Sequence, residues 1–336
     1  MKEAIITQVA RLAVKACLRP ALQLRHSIST QRLWLGVATR TLLVPRGVRF
    51  GRTDIRGVPT EIVGAAATTC GSGPGAVLYL HGGAFILGSP ISHRSITGRI
   101  AKLTGAPVFV PDYRLAPEHP FPAALDDALA CYRGLLERGY LPQHIALAGD
   151  SAGGGLVLSL CLRLRSEGLP QPDCAALISP WADLTQTELA PVADDALLRA
   201  EWLRLGATAY LRGRSAEHPL VSPLYADLHG LPRTLIHGAS EEILRNDSRR
   251  LAAALTKAGV AVVHREFPRM WHDFQLYAGV VPEATRSVEE IALFIRGTLA
   301  GACAHPTGTI KKDARMRDRR ISPISAGSPR THSRLD

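Results

Sequence analysis

Ser151 sits in Gly149-Asp150-Ser151-Ala152-Gly153-Gly154, between the apolar run Ile145 to Ala148 and the apolar-periodic stretch Leu156 to Leu164. A strand, a sharp turn through small residues and a helix would put its hydroxyl on an exposed bend. Flanking glycines tolerate strained backbone angles there and leave room for a substrate. The helix start aims amides and the positive end of its dipole at the same point, which suits a developing oxyanion. A serine alone is a weak nucleophile; it needs a base, a group that orients the base, and an oxyanion hole. His272, in Arg269-Met270-Trp271-His272-Asp273-Phe274, follows the last predicted strand and precedes the last predicted helix, which singles it out as the base among twelve histidines.

The orienting acid is expected between the serine and the histidine in chain order. Gly238 to Asp247 offers three carboxylates there, Glu241, Glu242 and Asp247. Each can also be read as a helix N-terminal acid, an arrangement worth up to about 1 kcal/mol. Glu242 is the preferred acid, binding the Nδ1–H of His272 and stabilising the imidazolium, with Glu241 as the alternative. The oxyanion hole is read from His81-Gly82-Gly83-Ala84, directly after a predicted strand. The amides of Gly82, Gly83 and Ala152 are its expected donors, and losing one such donor costs about 3–4 kcal/mol of transition-state stabilisation.

These residues need a scaffold that brings strand ends together. Strands are predicted at Val77 to Leu80, Val108 to Pro111, Ile145 to Ala148, Cys174 to Ile178, Thr234 to His237 and Val260 to Phe267, alternating with helices near 92–104, 120–138, 152–167, 244–258 and 283–299. That alternation predicts an α/β fold, a mostly parallel central sheet covered by helices on both faces, with functional loops at the carboxyl ends of the strands. Residues 1–50 read as helical and about 185–220 as an insertion; together they are expected to form a small helical cap on the α/β domain of residues 51–300. Residues 301–336, rich in Arg, Ser, Pro, Thr and Gly, are expected to be a disordered basic tail. Asp194-Asp195 in the insertion reads as a helix N-cap.

Composition narrows the classes. The 336 residues are 46% hydrophobic and 21% charged, ordinary for a globular protein. Of the net charge of +11, the tail holds eight Lys or Arg against three Asp. No aromatics are interleaved with the basic residues and no nucleic-acid signature appears, so nucleic acid is not an expected partner. The six cysteines have no zinc spacing and several lie in apolar segments, so no metal is expected and the compartment is read as reducing, hence cytoplasmic. Arg11 and Lys15 interrupt the N-terminal apolar positions. No integral membrane segment is expected there, and an amphipathic helix over about 3–18 fits better, packed over the mouth of the domain, with a membrane surface as the alternative.

The pair His81-Gly82-Gly83-Ala84 and Gly149-Asp150-Ser151-Ala152-Gly153-Gly154 resembles the hormone-sensitive lipase-like group of α/β-hydrolases, the bacterial acetyl-esterase type. Asp112-Tyr113-Arg114-Leu115-Ala116-Pro117-Glu118-His119-Pro120-Phe121-Pro122, Ser179-Pro180-Trp181 and Ser222-Pro223-Leu224 extend the resemblance over residues 30–299. It implies a cofactor-free serine carboxylesterase acting on small, short- to medium-chain acyl esters through an acyl-enzyme. A lactone hydrolase on the same residues and a non-catalytic ligand receptor are the alternatives, and a homodimer stays open. Many members carry a third glycine where this chain has Ala84. Asp112, Tyr113, Arg114 and Glu118 read as structural, ordering the loop beneath the oxyanion hole, and Asp150 as a backbone anchor.

Overall fold

The computed structural model describes residues 2–65, 75–192 and 194–299; the basic tail expected over 301–336 lies outside them. Eight strands form one sheet: β1 Val48–Ile55, β2 Val58–Ala65, β3 Ala76–Leu80, β4 Val108–Pro111, β5 Ile145–Asp150, β6 Cys174–Ile178, β7 Arg233–Ala239 and β8 Val262–Phe267. Their order across the sheet is β1-β2-β4-β3-β5-β6-β7-β8. From β4 to β8 every pairing is parallel. The β1–β2 hairpin and the β2–β4 pairing are antiparallel.

The β1–β2 hairpin has no counterpart among the predicted strands. Its two-residue turn, Arg56-Gly57, has φ of +54° and +84°. That is the turn geometry usually signalled by Asn-Gly, so an arginine in the first position hides it. β1 is also largely solvent-facing and lacks the apolar run that marks the inner strands.

The helices are α1 Lys2–Ala13, α2 Ile28–Ala38, α3 Arg94–Thr104, α4 Ala123–Glu137, α5 Ala152–Ser166, α6 Ala200–Leu211, α7 Arg245–Lys257 and α8 Pro282–Leu299. Side chains alternate between the faces of a strand, and β3 uses both. Leu78 and Leu80 pack with Leu125 of α4, Leu156 of α5 and Leu251 of α7. Val77 and Tyr79 pack on the other face with Ile96 and Ile100 of α3 and Ile291 and Ile295 of α8. The inner strands are therefore apolar on both faces and read as continuous runs.

Ser27 starts α2, its hydroxyl accepting from the Thr30 amide at 3.2 Å. Arg32 on that helix donates to the carbonyls of Ile86 and Ala116 and pairs with both Glu118 oxygens at 2.8 Å. The N-terminal segment is thus tied to the loops beside β3 and β4. The insertion of 185–220 falls between β6 and β7 and contributes α6. Asp194 there pairs with Lys15, with Arg19 at 2.8 Å and with Arg199 at 3.1 Å, joining the insertion to the N-terminal segment. α6 instead begins at Ala200 with Arg199 at its N-cap, so Asp194-Asp195 does not cap that helix. Among the described residues no helix is long and apolar enough to cross a membrane.

Candidate active site

β5 ends at Asp150, α5 begins at Ala152, and Ser151 between them has φ +50° and ψ −122°. Such backbone costs a residue with a side chain about 1–3 kcal/mol. Three hydrogen bonds hold it. The Ser151 amide donates to the Ile178 carbonyl at 2.8 Å, and its own carbonyl accepts from Trp181 at 2.9 Å and Gly155 at 3.2 Å. At about 1 kcal/mol net each, these bonds offset the strain. Gly153 has no alternative, because a Cβ there would overlap the Leu80 and His81 carbonyls.

His272 lies on the loop after β8. Its Nε2 is 2.9 Å from Ser151 Oγ and its Nδ1 is 2.7 Å from Glu242 Oε2. Glu242, just beyond β7, is fully buried, and its other oxygen accepts from the Ala239 amide at 2.8 Å. Glu241 turns the other way, its side chain 34% exposed and ion-paired with Arg11 of α1. The third carboxylate, Asp247, accepts from the amides of Ala182 and Asp183, both at 2.9 Å, and braces the loop after β6. Burial pushes the Asp247 carboxyl up to about 7.

The oxyanion loop departs from expectation at one residue. The Gly82 amide donates to Asp150 Oδ2 at 3.0 Å, so it is already engaged and is withdrawn from the expected donors. The amides of Gly83, Ala84 and Ala152 have no protein acceptor among the described residues. All of Gly83, Ala84 and Phe85 have positive φ, at +119°, +51° and +62°. A Cβ on Gly206 of α6 would stand 2.8 Å from the Ala84 methyl, so that helix leaves the space Ala84 occupies.

Beneath the loop, Asp150 also accepts from Tyr79 Oη at 2.7 Å and pairs with His93 Nε2 at 3.1 Å. Burial alone would strip charge from His93, but the Asp150 carboxylate outweighs it and raises the imidazole above its ordinary range. His81 is pushed down to about 3 by burial and stays neutral, with its Nδ1–H donating to the Gly82 carbonyl at 2.9 Å. Tyr113 stacks on His81 at 4.1 Å and donates to its carbonyl at 2.6 Å. Arg114 pairs with Asp127 through two nitrogens, so this motif and Glu118 do structural work.

Two carboxylates carry roles that sequence reasoning missed. Asp273 follows His272 with φ +54°, and its Oδ2 lies 3.1 Å from His272 Nε2, the nitrogen that also faces Ser151. Burial pulls the His272 pKa down, but the charge of Asp273 and the hydrogen bond to Glu242 drive it well above the ordinary imidazole value. Nothing in the sequence distinguishes Asp273 from a surface aspartate; only its positive φ turns it inward. Asp195, fully buried, accepts from the amides of Leu197 and Leu198 through one oxygen and from Ile243 through the other, at 2.8, 3.0 and 2.9 Å. It grips the backbone one residue past Glu242.

Above these groups lies a cavity of about 320 Å³ whose apolar walls include Leu18, Leu22, Leu197, Leu198, Trp202 and Leu276. Ser151 and His272 are at its floor, and the exposed residues Ala13, Cys17 and Thr41 border it toward solvent. An apolar acyl chain fits such walls, and an ester carbonyl fits the polar floor.

Comparison with known proteins agrees with this geometry. A family model described as the alpha/beta hydrolase fold matches residues 77–276. An acetyl-hydrolase of Streptomyces hygroscopicus is 46% identical over 223 residues, 66% of this chain and 75% of that protein. An esterase of Acinetobacter venetianus is 36% identical over 285 residues, 84% of this chain and 93% of that one. Among solved structures, an esterase from the bacterial hormone-sensitive lipase family is similar with a TM-score of 0.81 and 35% identity, covering 86% of this chain and 98% of that chain.

Proposed function

Because the chain belongs to the α/β-hydrolase family, in its hormone-sensitive lipase group, and is a serine carboxylic ester hydrolase, we propose that Ser151, His272 and Glu242 are its catalytic triad and that short- to medium-chain acyl esters are its substrates. One observation carries the reading: a single buried imidazole bridges the Ser151 hydroxyl and the Glu242 carboxylate at 2.9 and 2.7 Å.

Ser151 Oγ attacks the ester carbonyl carbon as His272 Nε2 takes the hydroxyl proton. Glu242 accepts the Nδ1–H bond and stabilises the imidazolium without becoming protonated. The amides of Gly83, Ala84 and Ala152 receive the oxyanion, with Ala84 standing where Gly82 was expected. His272 then gives its proton to the departing alkoxide, leaving an acyl-serine. Water repeats the sequence and releases the carboxylic acid and the free serine. A receptor without turnover has no place in a chain that keeps both the nucleophile and the base.

The roof formed by residues 1–50 and the insertion acts in this reading as a cap that limits the acyl chain. A series of p-nitrophenyl esters tests it: kcat/KM should be highest between acetate and octanoate and at least tenfold lower on palmitate. A maximum on palmitate would overturn the proposed chain length. Cys131 and Cys161 are buried free thiols, which suits a reducing compartment, and the reading puts the enzyme in the cytoplasm.

The pH profile tests the base. His272 must be neutral to accept the Ser151 proton, and Asp273 raises its pKa, so Asp273 moves the acid limb of kcat/KM upward. Replacing Asp273 with asparagine removes that charge, and the acid limb should shift to lower pH while the plateau changes little. An unmoved limb would mean that another group governs it.

A further inference from the structure

The positive charge of this chain is confined to its ends. Residues 1–50 hold nine Lys or Arg and one Glu, whereas residues 51–300 hold 23 Lys or Arg and 25 Asp or Glu. The N-terminal segment that roofs the pocket is therefore strongly cationic on a slightly acidic body.

The same segment wears its large apolar side chains outward. Ile5, Ile6, Val9 and Leu12 lie on one stripe of α1 and are 41–59% exposed, while the buried positions of its inner side begin with the small Ala10. α2 repeats the arrangement with Leu33, Trp34 and Val37, and Leu43 and Val44 follow it. Of the sixteen large apolar side chains exposed among the described residues, ten fall between residues 5 and 44. Helices that cover a core ordinarily turn such stripes inward. Arg25, Arg40 and Arg46 stand exposed in the same segment and, unlike Lys15, Arg19 and Arg32, enter no ion pair among the described residues.

These stripes lie on the same segments whose other residues line the pocket. Leu12 adjoins Ala13, Trp34 and Val37 bracket Leu35, and Leu43 follows Leu42, where Ala13, Leu35 and Leu42 all line the cavity. We propose that the outer face of α1, α2 and residues 39–46 docks on an anionic phospholipid bilayer, with the pocket mouth toward the lipid. An apolar stripe flanked by arginines matches the acyl boundary and headgroup layer of such a surface. A second copy of the chain would set two strongly cationic faces against each other. A nucleic acid would leave the apolar stripes without a partner. Esters dissolved in the leaflet would then reach Ser151 without crossing water. The docking itself does not depend on the ester chemistry.

The test is co-sedimentation of the full chain, as the inactive Ser151→Ala variant, with vesicles of phosphatidylcholine alone or with 30 mol% phosphatidylglycerol. Binding should be at least tenfold stronger to the anionic vesicles and fall in high salt. Each basic residue at such a surface contributes about fivefold, so changing Arg25, Arg40 and Arg46 together to alanine should weaken binding about a hundredfold. Leu33→Asp with Val37→Asp should abolish it, while the same pair in the active enzyme leaves hydrolysis of p-nitrophenyl acetate unchanged. Equal binding to both vesicles would overturn the proposal. So would binding that survives these substitutions but is lost when residues 301–336 are removed, and so would a dimer that the same substitutions dissociate.

Discussion

Replacing Ser151 with alanine is expected to lower kcat on p-nitrophenyl acetate by about a millionfold, the scale on which a serine hydrolase loses its nucleophile. The fold should hardly notice. Alanine occupies the same backbone geometry, and the hydrogen bonds to Ile178, Trp181 and Gly155 are made by main-chain atoms. The thermal midpoint should stay within a few degrees, and a non-hydrolysed ester analogue should bind with nearly unchanged affinity. Rate acceleration that remains would come from the oxyanion amides and from binding alone. A loss of less than about a hundredfold would remove Ser151 from the role of nucleophile, since no triad member is so dispensable.

The second large effect separates two adjacent glutamates. Glu242→Ala is expected to reduce kcat by about ten-thousandfold, the loss seen when the carboxylate that orients a catalytic histidine is removed. It should also cost stability, because the Ala239 amide and His272 Nδ1 lose their buried acceptor, at about 1–3 kcal/mol each. Glu242→Gln keeps the volume and an acceptor for Ala239, so a similar loss of rate with a smaller drop in melting temperature would isolate the charge. Glu241→Ala should change kcat by no more than a few-fold. Its expected cost is the surface ion pair to Arg11, worth about 0–1 kcal/mol. A larger loss of rate at Glu241 would transfer the orienting role to it.

Much of this site was legible because it rests on short-range rules. The elbow needs a serine among small residues between a strand and a helix, and those residues are contiguous. The parallel strands are apolar on both faces, so they stand out as unbroken runs, and the order serine, acid, histidine follows from three strand ends. The hairpin of β1 and β2 was hidden because its turn is Arg-Gly and its outer face is wet. Gly82 was misread as an oxyanion donor because its engagement depends on Asp150, 68 residues away in sequence. Ala84 carries no local mark of its place, because its positive φ is disfavoured for a residue with a side chain and the room for its methyl is made by Gly206 on α6. Asp273 and Asp195 were missed for one reason: burial and direction turned two ordinary aspartates into structural charges, and neither is a property of residue type.

Asp195 has a consequence for how this enzyme can change over generations. One oxygen holds Leu197 and Leu198, which line the pocket, and the other holds Ile243, beside Glu242. Selection for a new acyl group would first try the side chains at 197 and 198, since they line the pocket that also holds Ser151. Any exchange there that shifts the backbone would pull on the same carboxylate that holds the residue after Glu242, the acid proposed for the triad. Gains in substrate range at those two positions should therefore arrive with losses in turnover. Lineages that broaden their diet without that penalty should have altered Trp202 or Leu276 instead.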